Sequence, residues 1–140
     1  MDIDKIIDGF MPSSPTTDPE IVFDQCKMIA FEFMIHAAKQ GVSATLVQLA
    51  GYEGDLSSCH PEWLKIEPRS IVHYVVRISD TYVDWTKRQF DPLAAVPTVF
   101  MDPGEEGWMK SWEIANEDLP DWPREALDDL PPTSGMSLPD

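Results

Sequence analysis

Ile71-Val72-His73-Tyr74-Val75-Val76-Arg77-Ile78-Ser79-Asp80-Thr81-Tyr82-Val83-Asp84-Trp85-Thr86 is the stretch that decides the fold. Its first eight residues are dense in β-branched and aromatic side chains and read as the strongest strand of the chain. Ser79-Asp80 is a turn signal, and Thr81 to Thr86 reads as the returning strand. With a two-residue loop, Asp84 falls opposite Val75. Residues 73 and 75 share a face, so Asp84 points to the same side as His73, one diagonal step away. A three-residue loop would put the two on opposite faces.

Upstream, Thr17 followed by Glu20 three residues later, with Pro19 in the first turn, has the form of a capping box. Ile21, Val22, Met28, Ile29, Phe31, Phe33, Ile35, Ala37 and Ala38 then predict a helix that is apolar around much of its circumference and central to the core. Gly41 is its stop. Asp24 is a second possible N-cap, so the helix can restart just before Cys26. Ala44 to Ala50 is a strand candidate closed by Gly51 and Gly54, and Pro97 to Met101 is another. The pattern predicts an α+β class, a central helix packed on a small antiparallel sheet, with no internal repeat.

The flanks differ in composition. Residues 1–17 hold an apolar–acidic patch (Ile3, Ile6, Ile7, Phe10) and then a Pro/Ser/Thr linker. Residues 102–140 hold 11 Asp+Glu and 2 Lys+Arg, a net of −9, but also Trp108, Trp112 and Trp122 as apolar anchors. This acidic C-terminal extension is expected to lay one or two short helices on the core and to be disordered from about Pro131. The expected division is therefore 1–17, a core domain at 18–101, and 102–140.

Among 140 residues, 10 Lys+Arg stand against 25 Asp+Glu, a net charge of −15. That balance argues against binding a phosphate backbone or an anionic membrane surface, and leaves basic partners open. No apolar run reaches 18 residues and the N-terminus lacks the pattern of a signal peptide, so the expectation is a cytoplasmic protein. Cys26 and Cys59 are read as free thiols.

Chemistry is suggested by the order Cys26, His73, Asp84. A thiol nucleophile needs an imidazole to take its proton, and the imidazole needs an acceptor to fix its tautomer. If the chain restarts at Asp24, Cys26 lies at a helix N-terminus, where the dipole favours a thiolate. The rival pair, Cys59-His60, consists of neighbours that rarely point the same way. His36 reads as a packed core histidine. The spacings needed for a zinc site, a calcium loop or a Gly-rich phosphate loop are missing, so no metal or cofactor is expected. Lys87-Arg88 is the one basic spot beside Asp84 and reads either as a site for an acidic group of a substrate or, in preference, as a salt-bridge partner of the acidic extension.

The segment His73-Tyr74-Val75-Val76-Arg77-Ile78, followed by Asp84-Trp85-Thr86-Lys87-Arg88-Gln89-Phe90-Asp91-Pro92, resembles an H-x-V-V … D-x-T-x-x-Q-F pattern of small papain-like or transglutaminase-like cysteine enzymes. These include bacterial toxin and effector domains and phage proteins. The resemblance covers roughly residues 18–101. It implies Cys26 as nucleophile, His73 as base and Asp84 as orienting acid. Papain-like enzymes commonly carry a Gln several residues before the Cys; here Glu20 stands six back and Gln25 is adjacent. Gln25, Gln89 and Trp85 are therefore the candidates for substrate or oxyanion contacts. The implied activity is a hydrolase, deamidase or acyl transferase acting on a protein or peptide amide. The alternative is a non-catalytic acidic protein that blocks a basic partner, as a nucleic-acid mimic would.

Overall fold

A computed structural model describes residues 3–23 and 25–130. Nine elements build it: α1 (Ile3–Asp8), α2 (Pro19–Val22), α3 (Cys26–Lys39), β1 (Thr45–Tyr52), β2 (Val72–Ile78), β3 (Thr81–Asp84), β4 (Thr98–Phe100), β5 (Trp108–Ile114) and α4 (Asp121–Asp128), with short 3₁₀ turns between them. The class is α+β, with one five-stranded antiparallel sheet in the order β4-β3-β2-β1-β5. None of the described helices is long and apolar enough to cross a membrane.

The hairpin follows its sequence. Ile78 pairs with Thr81, Arg77 with Tyr82 and Val76 with Val83, so the loop is the two residues Ser79-Asp80. Ser79 takes a positive φ of 57°, as a tight right-twisting hairpin demands. One step further in this register sets Asp84 against Val75. β3 ends there, and β2 continues beyond it as Val72–Tyr74.

The long helix predicted from Thr17 is two helices. Asp18, rather than Thr17, is the first cap; its side chain accepts from the Glu20 amide at 3.0 Å. α2 lasts one turn, and α3 begins at Cys26 with Gln25 as its N-cap. Asp24, the N-cap expected from sequence, lies outside the described residues. At the other end Gly41 has φ 79°, while the Gly41 amide bonds the Ala38 carbonyl and the Val42 amide bonds that of Ala37. This is a Schellman stop, and only a residue comfortable at positive φ closes it without strain.

Strand alternation sends side chains to two cores. On one face Leu46, Val76, Ile78 and Val83 pack against Ile29, Phe33, Met34 and Ala37 of α3. Ile6 and Phe10 dock the N-terminal patch onto this layer, as a short helix. On the other face Val47, Leu49 and Val75 meet Tyr52 and Trp108, at the ends of β1 and β5, and Trp63 and Phe90 from connecting segments. Both cores contain completely buried large side chains, such as Phe33 and Leu49. Each contributes about 1.5–3 kcal/mol on burial.

The C-terminal region departs most from the sequence reading. Residues 108–114 form a strand where helices were expected, and β5 pairs with β1 along almost its full length. The boundary at 101 therefore does not separate a core from an appendage, because the sheet draws its last strand from beyond it. Only α4 answers to the predicted helices. The disorder expected from Pro131 concerns residues outside those described.

Candidate active site

β2 carries His73 opposite Leu49 of β1, on the face away from the main body of α3. The imidazole is completely buried, and so is Asp84. His73 Nε2 donates to Asp84 Oδ2 at 2.8 Å, and Asp84 Oδ1 accepts from the Thr86 amide at 3.0 Å. Both carboxylate oxygens are thus held, one by the ring and one by the backbone beyond β3. This bond fixes the proton of a neutral ring on Nε2 and leaves Nδ1 as the reactive nitrogen.

Gln89, on the 3₁₀ turn Lys87–Gln89, closes the other side of the ring. Its Nε2 donates to Thr86 Oγ1 at 3.1 Å and faces His73 Nδ1 at 3.4 Å, while its Oε1 accepts from the Trp63 indole at 3.1 Å. Gln89 is fully buried and engaged at both ends. It positions the imidazole rather than offering a free donor to an oxyanion. Trp108 stacks on the imidazole, with centroids 5.5 Å apart and planes 16° apart, and Phe90 meets it edge-on at 5.1 Å.

Cys26 is the first residue of α3 and is half-buried. The first bond of the helix runs from the Ile29 amide to the Gln25 carbonyl, so the amides of Cys26, Lys27 and Met28 have no intrahelical acceptor. α3 packs against β2, and Cys26 lies close enough to the His73 ring to act on its titration. Burial alone would push the His73 pKa down. The Asp84 carboxylate, by charge and by hydrogen bond, and then Cys26 outweigh it and carry the ring up to about 9. Imidazole and carboxylate, 11 positions apart in the chain, are thus hydrogen-bonded to one another, and Cys26, 47 positions before the ring, comes near it.

The remaining predicted residues divide. Gln25 is adjacent to the thiol and caps α3 through its backbone, without a side-chain cap bond. Trp85 lies in the other core, against Phe10 and Phe33, because it alternates with Asp84 along the chain; its indole N–H has no partner among the described residues. Lys87 reaches Glu106 of the acidic region at 3.7 Å, whereas Arg88 binds the carbonyls of Thr17 and Ala94 at 3.0 Å. His36 Nε2–H donates to the Ile6 carbonyl oxygen at 2.8 Å and so holds α1.

Cys59 and His60 do not form a dyad. Burial pushes the Cys59 thiol pKa up, and His60 turns to Glu20 at 2.9 Å while stacking on Phe23. Trp63, Phe90 and Trp108 are the parts of the site that sequence reasoning missed. Their only signal was aromatic character, which core residues share. Among the described residues, no three His, Cys, Asp or Glu side chains gather as metal ligands would. Comparison with protein-family models, with curated proteins and with solved structures finds no match to this chain.

Proposed function

We propose that the chain is a thiol-dependent acyl-transfer enzyme of papain-like or transglutaminase-like type, acting on amide bonds of a protein or peptide. The observation that carries this reading is the thiol at the start of α3 beside a buried imidazole whose far nitrogen is held by a buried carboxylate. Such a ring binds a proton tightly, so it can take one from the thiol and return it to a leaving group.

In the reaction, Cys26 Sγ attacks the carbonyl carbon and the carbonyl π pair moves to oxygen. The Cys26 amide, without an acceptor in the helix, donates to that oxyanion. On collapse the C–N bond breaks and Nδ1–H of His73 protonates the departing amine or ammonia. Water, or a second amine, then gives a proton to Nδ1 as it attacks the thioester, and the thiolate leaves. Asp84 keeps the ring in register throughout, and Gln89 and Trp108 keep it from turning.

The test is labelling with limiting iodoacetamide, read by mass spectrometry from pH 5 to 9. Cys26 should react much faster than Cys59, and below pH 8, with His73→Gln abolishing the low-pH reactivity. Labelling of Cys26 only after denaturation overturns the proposal. The net charge of −15 supports a second reading, a non-catalytic binder of a basic protein. On that reading, capture of the basic partner survives Cys26→Ala and weakens steeply with salt.

A further inference from the structure

β5 is the outer strand of the sheet: it pairs with β1 on one side, and no described strand lies on the other. Its residues Met109 to Glu113 are exposed, including Met109 and Trp112. A seven-residue edge of this kind leaves a row of amides and carbonyls open to another strand, and natural sheets usually blunt such edges. The strand carries no proline, and its one lysine stands beside a pocket.

That pocket is the second observation. It has a volume of about 270 Å³ and is lined by Ala50, Gly51, Arg69, Met109, Lys110 and Trp112. It contains two cations and no carboxylate, in a chain with 25 acidic residues. Neither the Arg69 nor the Lys110 side chain has an ion pair or hydrogen bond among the described residues. By contrast Arg77, Lys65, Lys87 and Arg124 each hold an acidic partner. The carboxylate of β5 itself, Glu113, is taken by Arg77 and alternates away from Lys110 and Trp112. The register places Lys110 and Trp112 on the same face, opposite Ala50 and Gln48.

We propose that the outer edge of β5 docks an extended acidic peptide segment of another protein as a sixth strand. Main-chain pairing with β5 supplies the binding, acidic side chains of the segment on the Lys110 face reach Lys110 and Arg69, and the alternating apolar ones cover Met109 on the other face. Charge complementarity selects this occupant. A second copy of the chain would bring Lys110 and Arg69 against a net charge of the right sign, but its own β5 offers only Glu113, already paired.

The probe is a fluorescein-labelled seven-residue peptide alternating valine and glutamate, titrated with the full chain at 0.15 M salt and read by anisotropy. At that ionic strength charges farther apart than about 8 Å are largely screened, so the local pocket dominates over the net charge. The peptide should bind saturably, and a valine/lysine counterpart should bind at least tenfold more weakly. Arg69→Glu with Lys110→Glu, both exposed positions, should reverse that order without changing the melting temperature. Two versions N-methylated at alternate amides, odd or even, should differ, with one of them failing to bind. Equal binding of the two N-methylated peptides overturns strand addition. Equal binding of the glutamate and lysine peptides overturns recognition by the pocket. A dimer in sedimentation velocity that the peptide disperses overturns the choice of occupant. Each readout is independent of the thiol, so failure here leaves the acyl-transfer proposal untouched.

Discussion

Asp84→Asn isolates the electrostatic core of the site, because it removes the charge while keeping the shape. Asp84 now accepts two bonds, from His73 Nε2–H and from the Thr86 amide. An asparagine has one acceptor oxygen, so its NH₂ must face one of those donors or force the ring to its other tautomer. The larger effect lies in proton binding. A ring that titrates at 6.5 when unfolded and at about 9 when folded binds its proton about 300-fold more tightly in the native chain, about 3 kcal/mol. The sign follows from the raised value. Below pH 6.5 both states are protonated and this contribution is present in full; it fades as pH rises from 6.5 to 9, and above 9 it is lost.

Urea unfolding of both proteins at pH 6, 7.5 and 9.5 measures it. The stability gap between the native chain and Asp84→Asn should be largest at pH 6 and should shrink by about 3 kcal/mol by pH 9.5. Taking the difference cancels groups that titrate alike in both proteins. In a His73→Gln background the gap should not change with pH. A gap that stays constant from pH 6 to 9.5 with His73 present would refute the view that the carboxylate holds the imidazolium.

Two further substitutions probe the walls of the site. Gln89→Leu strips the Trp63 indole and Thr86 of their buried partners, and should destabilise by about 2–3 kcal/mol in urea unfolding; a loss under about 0.5 kcal/mol would contradict the bonding described. Gly107→Ala combines a φ of 96° with a new Cβ only 3.0 Å from the Gly54 backbone nitrogen, which cannot swing aside. It should cost about 1–3 kcal/mol, seen as a lower melting temperature, and an unchanged one would show that the turn before β5 is looser than drawn.

How much of this was legible in the sequence depends on the range of the interaction that decides each element. The His73–Asp84 pairing was readable because a two-residue loop fixes side-chain parity by local geometry alone. The helix start was misplaced by one residue, since Thr17 and Asp18 are equally able caps and only the position of Pro19 in the first turn separates them. β5 was not readable. Trp108-Met109-Lys110-Ser111-Trp112-Glu113-Ile114 has one β-branched residue and lies in an acidic, proline-rich region, so its strand state comes from the open side of β1, about 60 positions away in the chain. For the same reason Trp108 could be recognised as an anchor but not as the cover of His73. Gln89 was singled out as an oxyanion donor, and the bonds to Trp63 and Thr86 that give it a positioning role are again long-range or side-chain contacts.

The stacking of Trp108 on His73 has a consequence for biosynthesis. The ribosome delivers Cys26, His73 and Asp84 well before it delivers residue 108, so the emerging polypeptide contains all three side chains while its imidazole still lacks one wall. Until the final strand is threaded in beside β1, water can reach the ring and compete for its proton. Enclosure of the ring therefore waits on the synthesis of β5, and a chain cut short before residue 108 carries the three side chains without this wall.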